Sequence, residues 1–295
     1  MQETGQAGRD DAAPAGLCEQ VTALGHAEPG TQWTPFHGGR SNRAWRVAAA
    51  QGDVVVKLYA TGRENPLFPN DPAAERACLA RLAGTGIAPE PLASGTVPEG
   101  AWLIYRHVAG GEWTSGAASV ARRLSLLHET PPPPGLRPRP GGSQALAAET
   151  LRLLAQCPDT AEKARVAAAR PTGAEVPPAD GAAFLHGDPV PGNLIVTGDG
   201  LVLIDWQCPA LGDPAEDLGI FLSPAMQMLY RGTPLTEAEE AAFLAAADPP
   251  AAARYRSLAP WFHWRMAAYC LWRGAASCPA EGAAMAAELA ALARY

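Results

Sequence analysis

A chain of 295 residues, 47% hydrophobic and 18% charged, has the size and balance of a globular protein with a substantial buried core. Its net charge of −7 argues against general nucleic-acid binding, which needs a basic surface. No apolar run reaches the roughly eighteen residues of a membrane span, and the opening MQETGQAGRDDAAPAGL lacks the basic and apolar stretches of a secretion signal, so a cytoplasmic location is expected.

In chain order, the first dozen residues read as a polar tail and 13–24 as a short amphipathic helix. Residues 34–59 read as strands, with Gln51-Gly52-Asp53 as a hairpin connection. Within them, VVVKLY puts Lys57, one of two lysines among 23 basic residues, in the middle of an apolar strand. A compact ammonium there suits a phosphate contact, where Arg and Lys are not interchangeable. NDPAAERACLARLAGTG carries helix signals: Asp71 as N-cap, Pro72 at the first position and Gly84 as the stop. APEPLASGTVPEGAWLIYRHV then gives a loop, a turn and a strand ending near Tyr105.

After Val108 the chain turns to helices rich in Ala, Leu and Arg. PPPPGLRPRPGG at 131–142 excludes regular structure and is expected to be an exposed, stiff connection. Helices follow in QALAAETLRLLAQC and TAEKARVAAA, and again from DPAEDLG to the C-terminus. The division expected is a tail with a short helix (1–30), a strand-rich lobe (31–106) and a mainly helical lobe (107–295). The six scattered cysteines show no CxxC spacing and are read as buried free thiols.

Between the helices lies HGDPVPGN at 186–193, with LIDWQ beginning at Leu203. The runs 194–197 and 201–204 flank Gly198-Asp199-Gly200, a three-residue hairpin loop. Pairing about Asp199 sets Leu194 opposite Ile204, and so Asn193 opposite Asp205, with Cα atoms roughly 4.5–5.5 Å apart. Asp188 sits in the constrained loop before them. Two readings are open: these residues cap strand ends, or Asn193 and Asp205 are oxygen ligands for Mg²⁺, which takes few protein ligands and fills its shell with water and phosphates.

HGDPVPGNLIV, LIDW and GDPAEDLG together resemble the phosphotransferase family of aminoglycoside, choline and thiamine kinases, over residues 33 to 275. The resemblance implies the protein-kinase-like fold: α+β, with a small strand-rich lobe and a larger helical one. It implies ATP and Mg²⁺ as cofactors, Asp188 as the catalytic Asp, and Asn193 and Asp205 as metal ligands. Lys57 matches the strand lysine that contacts phosphates, with Glu75 as its helix partner and Glu64 as a competitor for that role. His186 is implied to brace the loop, and Asp217 to tie it to the following helix. In GGRSNRAWRV there is no GxGxxG, but backbone amides around Gly39, Ser41 and Asn42 suit phosphate covering. Asp213 follows Asp205 by only eight positions, too few for a long activation loop, so a small hydroxylated acceptor is expected rather than a protein.

The same motifs are more similar to the choline- and thiamine-kinase branch, which points to a cationic alcohol. An aminoglycoside phosphotransferase is the alternative, and a catalytically silent nucleotide-binding scaffold a third reading. Candidates for acceptor contact are Trp206, Gln207, Asp213, Trp261 and Trp264. Gln207 stands where the branch carries Glu. Trp261, Trp264 and Trp272 share a helical face, which either encloses a cation through its rings or packs in the core. Asp213 and Glu216 face either the acceptor or solvent. His128 is read as packing, and His37 and His107 as surface or loop residues.

Overall fold

The computed structural model describes residues 12–36, 42–60, 62, 65–274 and 277–295. Strands β1 (Trp33–Pro35), β2 (Arg43–Val47), β3 (Val54–Leu58), β4 (Pro91–Val97) and β5 (Gly100–Arg106) form one antiparallel sheet in the order β1-β2-β3-β5-β4. Successive side chains of a strand point to opposite faces, and central β3 is buried on both. Val54, Val56 and Leu58 pack with Trp45, Trp102 and Ile104 against Leu17 and Val21 of helix α1 (Ala15–Ala23). Val55 and Lys57 point the other way, where Val55 joins the main core. That double burial is why the strand reads as an unbroken apolar run.

Helix α2 (Pro72–Leu82) packs Cys78, Leu79 and Leu82 into the same core. Asp71 caps it, accepting from the amides of Ala73 and Ala74 at 3.0 and 2.9 Å. The sequence expectation of a loop before β5 is corrected, because 91–97 is a paired edge strand. Pro91 and Gly95 disguise it. An edge tolerates proline, and a Cβ on Gly95 would stand 2.5 Å from the Trp102 ring.

The rest is mainly helical: α3 (Ala117–Glu129), α4 (Gly142–Ala155), α5 (Ala161–Ala168), α6 (Ala215–Phe221), α7 (Pro224–Arg231), α8 (Glu237–Ala246), α9 (Pro249–Trp272) and α10 (Pro279–Leu292). Helix α9 is the central rod, buried along most of its length and flanked by α4, α6 and α10. Short strands interrupt the helices. β7 (Ala183–Leu185) pairs with β10 (Ala210–Gly212), and β6 (Gly111–Glu112) lies beside β8 (Leu194–Thr197), which pairs with β9 (Gly200–Leu203). The strand-rich part and the helical part together make the two-lobed α+β architecture.

Two further expectations are corrected. The 131–142 segment is not simply exposed: Leu136 and Arg139 are buried, and the Arg139 amide donates to the Leu211 carbonyl at 2.7 Å. The Arg139 side chain is drawn in by two acids, with its Nε 2.8 Å from Glu216 and a terminal nitrogen 3.4 Å from Glu149. Among the cysteines, Cys78, Cys157, Cys208 and Cys270 are buried free thiols, but Cys278 is exposed at the start of α10 and Cys18 is half-buried on short α1.

Candidate active site

Two loops converge on the Lys57 face of the sheet. The first leaves β7 at His186 and passes through a 3₁₀ turn (Pro191–Asn193) into β8. Gly187 has φ +84°, and a Cβ there would lie 2.0 Å from the Cys208 carbonyl oxygen, so only glycine fits. The second loop leaves β9 and reaches Asp205, whose φ of +61° makes it the one non-glycine residue with a left-handed backbone among the described residues.

The hairpin between them differs from expectation by one residue. Its loop is Gly198-Asp199 alone, with Thr197 opposite Gly200 and Leu194 opposite Leu203. The Thr197 hydroxyl closes it, accepting from the Asp199 amide at 3.2 Å and donating to the Gly200 carbonyl at 3.1 Å. Ile204, not Asp205, therefore meets Asn193, donating its amide to the Asn193 carbonyl at 2.9 Å. A one-residue shift would turn a side chain to the other face of a regular strand, but at Asp205 the backbone has left strand geometry, and the carboxylate reaches Lys57.

Lys57 is the hub. Its ammonium lies 2.6 Å from the Glu75 carboxylate and also donates to Asp205. Burial works against the charged form, but Asp205 and Glu75 outweigh it and raise the Lys57 pKa, so the side chain stays an ammonium. Asn193 uses its side-chain nitrogen on Asp188, donating to the carbonyl at 2.9 Å and toward the carboxylate at 3.4 Å. Its amide oxygen is thereby turned away from Asp188.

His186 ties the two loops together. Its Nδ1 accepts from the Asp188 amide at 3.2 Å, so Nε2 carries the proton and donates to the Ile204 carbonyl at 3.0 Å. Burial lowers its pKa, in keeping with a neutral ring. Asp217 accepts from the amides of His186 and Gly187, each at 2.9 Å, and meets His128 Nε2 at 3.0 Å. Burial raises the Asp217 pKa, but the His128 hydrogen bond and neighbouring charge overcome it, and the net direction is down. His128 is thus a polar partner rather than mere packing.

Lys57, Asp188, Asn193 and Asp205 all line one cleft of about 670 Å³, as do Asn42 and Gln207. The Asn42 amide is spent on the protein: it donates to Gln207 at 2.8 Å, pairs reciprocally with Asn70 at 2.9 and 2.8 Å, and accepts from the Ala60 amide at 3.1 Å. Gly39, Ser41, His37 and Glu64 lie outside the described residues. His107, half-buried, stacks on Phe36 at the cleft.

Four acceptor candidates are corrected. Trp206 is buried beneath His186, with its Nε1 2.8 Å from the Leu203 carbonyl. Trp261 and Trp264 are core residues, and Trp264 Nε1 donates to the Val166 carbonyl at 2.7 Å. Large rings on the central helix gain more by packing than by facing a cleft. Asp213 accepts from the Ala215 amide at 3.0 Å, capping α6, and is held by Arg254 at 2.9 Å. Glu216 is likewise buried, 2.8 Å from both Arg139 and Arg265.

The cleft wall instead includes Phe68, Tyr230, Tyr269 and Arg273, none singled out from the sequence. Tyr269 accepts from Asn65 at 2.8 Å and meets Phe68 edge-on at 5.1 Å. The signal available was the four-residue step from Tyr269 to Arg273, off the tryptophan face of α9.

Among the described residues, no group of three or more His, Cys, Asp or Glu could hold a metal. One carboxylate and one amide oxygen, from Asp205 and Asn193, nevertheless suit Mg²⁺, a hard cation that draws the rest of its shell from phosphates and water. Among the described residues no helix is long and apolar enough to cross a membrane.

No curated protein matches the chain in sequence. In fold it is similar to a choline/ethanolamine kinase family protein from Mesorhizobium loti, at 17% identity and TM-score 0.58, covering 95% of this chain and 100% of that one. It is similar to the aminoglycoside phosphotransferase APH(4)-Ia at 14% identity and TM-score 0.66, covering 95% and 99%. The amicoumacin kinase hAmiN, in complex with AMP-PNP, Ca²⁺ and its ligand, aligns at 14% identity and TM-score 0.62, covering 98% and 96%. The family model described as the phosphotransferase enzyme family matches residues 32–294, and this chain belongs to that family.

Proposed function

We propose that the chain transfers the γ-phosphoryl group of Mg-ATP to a hydroxyl of a small molecule. The observation that carries this is the meeting, in one cleft, of the Lys57 ammonium, the Asp205 carboxylate, the Asn193 amide and the Asp188 carboxylate. Residues 31–106 form the nucleotide lobe and 107–295 the catalytic lobe. Lys57, kept in place by Glu75, receives nucleotide phosphates, and Ala44, Val55, Tyr105 and Ile204 offer an apolar slot for the base. A magnesium ion held by Asn193 and Asp205 would neutralise phosphate charge. Asp188 orients the acceptor hydroxyl and takes its proton as the new O–P bond forms and the bond to ADP breaks. His186 and Asp217 hold the loop, which is positioning rather than proton transfer. An ATP donor fits a cytoplasmic protein. The amicoumacin kinase of similar fold holds a nucleotide analogue and a divalent cation, which supports the cofactor assignment.

For the acceptor, the rings of Phe68, Tyr230 and Tyr269 take the place expected of Trp261 and Trp264. Such rings accept an apolar body or, by cation–π attraction, a choline- or thiamine-like onium group. An aminoglycoside has several ammonium groups and needs an acidic wall. Among the described residues the acids lining the cleft are Glu112, Asp188 and Asp205. The test is acceptor-dependent ADP release from Mg-ATP over choline, ethanolamine, thiamine, homoserine and several aminoglycosides, with Asp188→Asn beside the unaltered protein. Turnover that disappears in the variant supports the reading. Failure to bind Mg-nucleotide at all overturns it.

A further inference from the structure

Arg273 follows the last turn of α9 and lines the cleft one helical turn beyond Tyr269. Its partner among the described residues is Glu281, 3.5 Å from Nε, and its two terminal nitrogens have none. The neighbouring wall is made of Phe68, Met226, Leu229, Tyr230 and Tyr269 with the Asn65 amide, and among the described residues it contains no carboxylate. Of the acids in the cleft, Asp188 and Asp205 belong to the reaction centre and Glu112 to β6. Among the described residues the acceptor side thus presents the Arg273 guanidinium, held at Nε by Glu281, in a mainly apolar and aromatic surface.

Resting on the kinase reading above, we propose that the acceptor carries a single anionic group, a carboxylate or its like, that pairs with Arg273 while its apolar body lies against Tyr269 and Phe68. The guanidinium fork is shaped for such a planar anion. An acceptor that fills the cleft removes water from the terminal nitrogens of Arg273, which Glu281 does not reach, and a planar anion compensates that loss best. A polyamine finds no carboxylate among the described residues of this wall and meets the Arg273 charge. A simple onium alcohol gains the rings but leaves Arg273 unanswered.

Three matched probes test this: 4-(hydroxymethyl)benzoate, 4-methylbenzyl alcohol and 4-(aminomethyl)benzyl alcohol. Their binding is measured calorimetrically with and without Mg-AMP-PNP, and their phosphorylation by ADP release from Mg-ATP. The benzoate is expected to bind best. Arg273→Met should erase roughly ten- to hundredfold of its advantage while Mg-AMP-PNP affinity is retained, and Arg273→Glu should move the preference to the amine. Best binding of the neutral or amino probe, binding of none, or a preference that survives Arg273→Met overturns the proposal. So does Arg273→Met weakening the nucleotide instead, which would assign Arg273 to phosphates. Discrimination by Arg273 without ADP release from any probe, or without nucleotide binding, counts against the kinase reading and leaves the anion site standing.

Discussion

The Lys57 ammonium and the Glu75 carboxylate stand 2.6 Å apart, both buried, one on a central strand and the other in the first turn of α2. Their contact joins helix to sheet and sets the height of the ammonium above the cleft. Glu75→Gln should leave Lys57 drawn to Asp205 alone. Steady-state kinetics should then show a raised KM for ATP and a roughly tenfold or greater fall in kcat/KM. Removing one partner of a buried pair costs about 3–5 kcal/mol, and urea denaturation should show less than that, because Asp205 still answers the charge.

Asp205→Asn and Asn193→Ala each remove an oxygen from the proposed metal site. Titration of Mg²⁺ at saturating ATP should show the half-maximal concentration rising roughly tenfold or more in both. A metal requirement unchanged in both variants would contradict the assignment. The second variant also frees Asp188 from its 2.9 Å tether, so its kcat should fall further than the metal effect explains.

Asp217 provides the pH prediction. Its folded pKa is depressed, so its contribution to stability is complete above the unfolded value of about 3.9 and is lost as pH falls through the folded value. Asp217→Asn should destabilise the protein at pH 7 by about 1.5–3 kcal/mol, the scale of charge-assisted hydrogen bonds. The gap between the two proteins should narrow on acidification below about pH 4. Urea midpoints at a series of pH values would measure it.

Arg139 joins the Pro-rich segment to Glu216 and Glu149, and neither it nor its segment lines the cleft. Arg139→Met should lower stability by less than the roughly 3–5 kcal/mol of a fully broken buried pair, since Arg265 still answers both acids. KM for both substrates should stay as it was. A change in KM with no change in denaturation midpoint would mean that the segment acts on the cleft after all.

Much of this architecture was legible from local chemistry. Asp71, Pro72 and Gly84 marked helix α2 because caps and breakers act within a few residues. The placement of Lys57 in an apolar run was equally local. What was not legible depends on neighbours distant in sequence. The hairpin slipped by one residue because Thr197 closes a two-residue loop, a choice between turn geometries that the Gly-Asp-Gly sequence leaves open. Trp261 and Trp264 obeyed the helical period, but periodicity defines a face without saying what it meets. Arg139 looked exposed among prolines until Glu216, 77 residues away, supplied its charge partner.

Helix α9 has one property that bears on how such a protein changes over time. Its buried stretch runs from Ala251 to Leu271, and the acids around it already engage Arg254 and Arg265. Among the described residues it touches the cleft only at Tyr269, and at Arg273 just past its end. Alterations along the buried turns disturb packing throughout the helical lobe, whereas those at the final turn alter the cleft wall with little else to repack. On the acceptor reading proposed above, preference is open to retuning at one end of a rod whose remainder is held by packing.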